Sequence, residues 1–179
     1  MIIHVMGASG SGTSSLGEFL AQKLGFNLIE SDYYKWEQTD PPFQIMRSVD
    51  ESNRLLMEEI NKGENLIITG SLHANPVTFP YIDLIIYLTC PTKERLKRVQ
   101  NRDVALGRNS LEAEGKVREN FLGFLELAKN YNKKDLTCRS KASQKYVIKQ
   151  SGVPVIKIST NQKVDKVRSK ILKKIKKYV

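Results

Sequence analysis

Residues 7–14 read GASGSGTS, and what surrounds them restricts the fold more than any other stretch. A short apolar run, MIIHVM, precedes them; an amphipathic run, LGEFLAQKLG, follows. Strand, glycine turn and helix open a chain whose strands lie parallel, because the helix carries the backbone over the sheet to its next partner. The turn has the spacing G-x-x-x-x-G-x-[ST], the frame of a phosphate-binding loop. That frame ordinarily holds a lysine after the second glycine; Thr13 stands there instead. Anion binding does not require the lysine. The N–H groups of such a turn make a concave nest, and the helix N-terminus adds partial positive charge. Gly7, Ala8, Ser9, Gly10, Ser11, Gly12, Thr13 and Ser14 are thus candidate nucleotide-binding residues. The Ser14 hydroxyl is also a candidate Mg²⁺ ligand.

The alternation continues to the end of the chain. The patterning predicts strands at 1–6, 26–31, 65–71, 83–90 and 153–159, the third and fourth as continuous apolar runs suited to burial on both faces. It predicts helices over 13–24, from a Ser48 or Asp50 cap to about 61, over 92–102, 113–131 and 140–150, and a last one capped by Asn161. Residues 32–47 read as an aromatic, proline-containing loop and 103–112 as a polar, mobile stretch. The expectation is an α/β fold of three layers, α/β/α, with a five-stranded parallel sheet, built as one domain over 1–179. Ligands on such sheets sit at the carboxyl ends of the strands. His4, inside the first strand, reads as structural. His73, after the third, reads as facing the ligand side.

The net charge of +10 is uneven. Residues 133–179 hold 15 basic and 2 acidic side chains, a net of +13, whereas residues 1–132 hold 14 and 17, a net of −3. Such a region attracts polyanions. It is rich in Lys, with no aromatics interleaved for base stacking, so a solvated helix is the favoured reading and nucleic acid the lesser one. No apolar run approaches the ~20 residues of a membrane span, and the first run lacks a basic leader segment. Cys90 and Cys138 stand alone, which suits a reducing, cytoplasmic setting. The oligomeric state is not legible.

The loop GASGSGTS, with SDYYKW and TDPPF, resembles P-loop kinases of the nucleoside monophosphate kinase and shikimate kinase group. The similarity is greatest to small adenylate-kinase-like proteins with a G-S-G-T-[TS] loop. Some members of that group, among them one class of cytidylate kinases, lack the loop lysine, so Thr13 is compatible with activity. The resemblance implies a small helical lid at about 101–116, an acceptor-binding region at about 32–62, ATP and Mg²⁺ as cofactors, and transfer to a nucleoside monophosphate or small hydroxy acceptor. It implies that Arg98 and Arg102 are lid arginines, with Arg108 in the following stretch. Arg95, Arg98 and Arg102 recur at helical spacing and share one face, with Leu96 and Val99 opposite; Arg95 joins Arg108 as a candidate nucleotide contact. Asp32, past the second strand, corresponds to an aspartate that contacts the acceptor hydroxyl in the shikimate and gluconate branch, and a carboxylate there also suits Mg²⁺ through water. Arg139 corresponds to a position that binds an anionic acceptor. Tyr33, Tyr34, Trp36 and Phe43 suit either stacking or core. Two other functions stay open: a nucleotide-binding module whose missing lysine marks lost transfer, and a nucleic-acid-associated protein using the basic C-terminal region.

Overall fold

The computed structural model describes residues 1–39 and 44–179. Phe43, with the DPP before it, lies outside the described residues. Strands β1 (Ile2–Gly7), β2 (Asn27–Glu30), β3 (Leu66–Thr69), β4 (Leu84–Thr89) and β5 (Val155–Ser159) form one parallel sheet in the order β2-β3-β1-β4-β5. Helices α1 (Thr13–Leu24), α2 (Ser31–Lys35), α3 (Val49–Asn61), α4 (Thr92–Ala105), α5 (Lys116–Lys129), α6 (Lys141–Ser151) and α7 (Val164–Ile175) complete the fold.

Side-chain alternation along the strands divides the interior in two. Ile3, Val5, Leu84, Ile86 and Leu88 pack with α1 and α7 on one face of the sheet. Ile2, Met6, Leu66, Ile68, Ile85 and Tyr87 pack with α3 and α6 on the other. Because the connection leaving β1 runs to one side and that leaving β3 to the other, a crevice opens at their carboxyl ends. Gly7 and Gly70 stand at its two lips.

Local signals account for most helix ends. Gly12 (φ 93°) and Gly25 (φ 69°) bound α1 in the left-handed conformation, which only glycine adopts cheaply. Ser48 caps α3 by accepting from the Glu51 N–H. Ser140 and Ser143 cap α6 reciprocally. Three expectations change. Residues 32–47 are not all loop: α2 forms there, and Trp36 bridges antiparallel to Met46. The last helix starts after Lys163 instead of Asn161, because Gln162 turns back to donate to the Ser159 carbonyl. The 103–112 stretch is anchored, since buried Asp103 accepts from the N–H and the hydroxyl of Ser110.

His4 is fully buried in β1, and its Nε2 meets the Gly70 carbonyl at 3.2 Å. Burial pushes its pKa down to about 4, against a partial rise from the Gly70 bond. A base whose folded pKa lies below its unfolded value of 6.5 is bound as the neutral form. Its contribution is therefore complete above pH 6.5 and is lost as pH falls from 6.5 toward 4. We expect unfolding free energy to drop by about 3 kcal/mol across that window, and His4→Asn to flatten the profile in urea titrations at pH 7 and pH 4.5.

Candidate functional site

Most carbonyls of the loop between β1 and α1 have donors within the protein. The Gly7 carbonyl accepts from Gln144 Nε2 at 2.6 Å, Ala8 from the Ser11 N–H at 2.9 Å, and Ser9 from Arg95 Nη1 at 3.1 Å. The Ser11 carbonyl accepts from the Thr160 hydroxyl at 2.9 Å, and Gly12 from the Leu16 N–H at 3.0 Å. The N–H groups of Gly10, Gly12, Thr13 and Ser14 have no acceptor among the described residues, as expected of the first turn of a helix that receives a ligand. Gly10 has φ 78° and any Cβ there would strike the Arg95 backbone, so the turn admits only glycine at that point. Ser11 Oγ is buried with no partner among the described residues.

Arg95 departs from the expectation. The buried face of α4 is Arg95, Val99 and Asp103, not Leu96 and Val99. Arg95 is 1% exposed and lies behind the loop. Its guanidinium donates to the carbonyls of Cys90, Ser9 and Ala128 and to the Thr92 hydroxyl, and sits 5.2 Å from the centre of the Tyr131 ring. Buried among these groups, the side chain braces the loop from behind. Tyr131 extends the brace: it bonds Tyr87 at 2.8 Å and Gln144 at 2.5 Å. Burial, aided by Tyr87, pushes the Tyr131 phenol far up, which keeps it neutral.

Arg98 donates to the Thr160 carbonyl at 2.8 Å and contacts its hydroxyl at 3.4 Å, which places it beside the loop through Thr160. Arg102 is exposed at the end of α4. Its charge counters a rise in the Glu30 carboxyl that burial, Asp32 and Glu18 produce. Arg108 is exposed in the turn that follows α4.

Across the crevice, α2 begins directly at the end of β2. Asp32 and Lys35, three residues apart, fall on one side of this short helix. Both Asp32 oxygens face Arg139 Nη2 at 3.3 Å. Arg47 fixes α2 by donating to the carbonyls of Tyr33 (2.9 Å) and Trp36. Gly70 explains the close approach: a Cβ there, at φ 101°, would overlap Ser31 Oγ and lie 3.4 Å from Arg139 Nη2. His73 spends both ring nitrogens, one with the Ser71 hydroxyl at 2.8 Å and one with the Thr137 carbonyl at 3.2 Å. It thereby ties the end of β3 to the segment that carries Arg139. Burial lowers its pKa, as does the nearby Lys35 charge. Tyr34 packs against the core, whereas Tyr33 is 55% exposed.

Sequence reasoning missed Gln144, Tyr131, Lys35 and Thr160. Thr160 had a signal, a polar residue just past a strand on the ligand-bearing end of the sheet. Gln144 had none, since its partner Gly7 is 137 residues away.

For magnesium, the candidate donors are the Ser14 hydroxyl and the Asp32 carboxylate, with Glu30 near Asp32. β3 ends at Thr69, and neither it nor Gly70 and Ser71 after it supply a carboxylate. Among the described residues no group of three or more His, Cys, Asp or Glu gathers as a metal cage. This sparse oxygen set fits an ion that keeps several waters and takes the rest of its shell from phosphate.

Comparisons with known proteins agree with this fold. The chain is 32% identical over 170 residues to the uncharacterized protein YqaC of Bacillus subtilis, covering 92% of this chain and 94% of that one. It is 27% identical over 118 residues to a cytidylate kinase of Ignicoccus hospitalis, covering 57% of this chain and 64%, under two thirds, of that one. A shikimate kinase structure from Bacteroides thetaiotaomicron shares the fold with a TM-score of 0.58 at 15% identity, over 98% of this chain and 97% of that one. The family profile described as AAA domain matches residues 3–117, which contain the loop, four of the five strands and α4. By that match the chain belongs to the AAA-domain family, as a P-loop protein of kinase-like fold related to the nucleotide kinases.

Proposed function

We propose that the chain is an ATP-dependent phosphotransferase. ATP with Mg²⁺ binds at Gly7–Ser14, and the acceptor, a nucleoside monophosphate or a small hydroxy compound, binds beside Asp32 and Arg139. The observation that carries this reading is the juxtaposition of two sites at one end of the sheet: a loop whose N–H groups are free for phosphate, and a carboxylate–guanidinium pair across the β1/β3 crevice.

Phosphoryl transfer is mostly positioning and charge neutralisation. The acceptor oxygen bonds to the γ-phosphorus as the bond to the β,γ-bridging oxygen breaks. Asp32 receives the acceptor proton and releases it to water. Arg139 orients Asp32 and meets charge on the transferring group. Arg98, held by Thr160, lines the loop, while Arg102 and Arg108 clamp phosphate from a lid at about 101–116. Bound Mg²⁺ would neutralise phosphate charge and be held by Ser14 directly and Asp32 through water. The acceptor region spans about 32–62. ADP release from Mg·ATP, scored against a panel of nucleoside monophosphates and hydroxy compounds, tests the reading. Tight ATP binding without ADP release for any acceptor would leave a nucleotide-binding module instead.

Thr13→Lys measures whether the loop lacks a cation. A lysine entering an uncompensated phosphate site would gain roughly 1.5–3 kcal/mol of charge-assisted bonding, a tenfold or larger rise in affinity. Because arginines already take the phosphate charge, we expect calorimetry to give less than a tenfold gain. A larger one would remove the arginines from the nucleotide site.

A further inference from the structure

β5 is an outer strand of the sheet, paired with β4 on one side and with no strand on the other. An open groove of about 400 Å³ runs between its first residues and the end of α7, lined by Val155, Ile156, Lys157, Lys174, Lys177 and Tyr178. The three lysines are exposed, and none has an ion-pair partner among the described residues. Tyr178 is 41% exposed, and its backbone N–H is tied to the Ile175 carbonyl at 2.8 Å, which holds the residue at the groove.

The surroundings add to the charge. Lys149 stands in the last turn of α6, a short connection before β5. Lys166, Lys170 and Lys173 follow the outer side of α7, turned away from its buried Val167, Ile171 and Ile175. Lys170 donates only to a neutral partner, the Gln162 side chain, at 3.1 Å. Acidic side chains are few: Asp165 lies in the first turn of α7, away from the groove, and Asp83, just before β4, accepts from the Ile2 N–H at 2.6 Å. A lone lysine on an edge strand deters strand pairing. Three converging on one groove repel one another, and a ligand that brings several negative charges relieves them. The groove lies at the start of β5, whereas Thr160, just past the end of that strand, meets the nucleotide loop through the Ser11 carbonyl. The two places are at opposite ends of the sheet, so occupancy of one leaves the other open.

We propose that the β5 edge binds single-stranded nucleic acid, with its phosphodiester backbone on Lys157, Lys174 and Lys177 and one base stacked on Tyr178. This goes beyond the phosphotransferase reading and stands without it. Lys166, Lys170 and Lys173 are about 4.5–6 Å apart along the helix axis, so each meets a separate phosphate of a strand laid along α7. An aromatic ring beside a basic track is the chemistry of sequence-tolerant strand binding. An anionic bilayer suits the surface less, because a basic helix holds a membrane by inserting its apolar face, and Val167, Ile171 and Ile175 are spent in the core.

Fluorescence anisotropy of labelled oligo(U) and oligo(dT), titrated over salt, tests the proposal on the full chain. We expect saturable binding whose log affinity falls linearly with log salt. Lys157→Gln/Lys174→Gln/Lys177→Gln should weaken it at least tenfold and flatten the slope by about 2, at roughly 0.7 per phosphate contact. Tyr178→Leu should weaken it about fivefold or more, with Tyr178→Phe close to wild type. A preference for oligo(U) assigns RNA; equal affinity assigns the backbone chemistry the two share. No binding of either strand at low salt overturns the proposal. So does an equal loss in the control Lys62→Gln/Lys93→Gln/Lys129→Gln, which removes the same charge elsewhere. Displacement by excess Mg·ATP at matched ionic strength would put the strand in the loop instead. Equally tight duplex binding, with Tyr178→Leu silent, removes the stacked base and the single strand with it. Binding only to vesicles of equal parts phosphatidylserine and phosphatidylcholine would make the surface a membrane contact and overturn the proposal as well.

Discussion

Arg95→Met is expected to destabilise the protein by about 3–5 kcal/mol before any nucleotide is added. Three carbonyls, of Ser9, Cys90 and Ala128, lose their donor, the Ala128 bond being buried and the other two part-buried, and a buried acceptor left alone costs about 1–3 kcal/mol. Some of that is recovered by water entering behind the loop. For a chain of this size the melting temperature should fall by roughly 10 °C. Lysine should not substitute, because a single ammonium cannot reach carbonyls that a planar fork serves from one place. The competing view, Arg95 as a nucleotide contact, predicts the opposite order: apo stability within ~0.5 kcal/mol of wild type and a loss seen only in ATP affinity. Differential scanning calorimetry of the apo variant decides between them. The same variant should also weaken ATP, since the Ser9 carbonyl, released, is free to swing toward the phosphates and oppose them.

Asp32→Asn is expected to lower kcat by about 10²–10⁴-fold, the range for removing a positioned general base. The fold should hardly notice. Asp32 is 38% exposed at its side chain, and partly solvated pairs of this kind contribute about 0–1 kcal/mol. A stability close to wild type, with kcat collapsed and KM changed little, is the signature of a group that acts on the reacting oxygen. A raised KM with kcat intact would instead make Asp32 a tether for Arg139. An unchanged rate would remove it from the chemistry. Arg95→Met thus loses structure and then function, and Asp32→Asn function alone.

The element order and the parallel sheet were legible in the sequence because both rest on local rules. Continuous apolar runs such as LIIYL fit only strands covered on both faces, and helices between them force parallel crossovers. The loop at 7–14 was legible because its chemistry belongs to the backbone and needs only glycines at set spacing. The Ser48 boundary was legible for the same reason, since a cap is a bond between near neighbours. Asn161 failed as a cap because Gln162 found a competing acceptor in Ser159.

Tertiary structure alone decided what lies behind and across that loop. Helical spacing put Arg95 on a face with Arg98 and Arg102, and apolar character assigned Val99 to the core. Periodicity says which residues share a side, not what that side meets. Here it meets unsatisfied carbonyls of the loop and of α5, so a guanidinium is the side chain that α4 buries, and Arg98 turns to Thr160. The Gln144–Gly7, Thr160–Ser11 and Arg139–Asp32 contacts join positions 137, 149 and 107 residues apart. No local pattern encodes such pairings; they exist because the sheet order β2-β3-β1-β4-β5 gathers the carboxyl ends of strands far apart in the chain around one crevice.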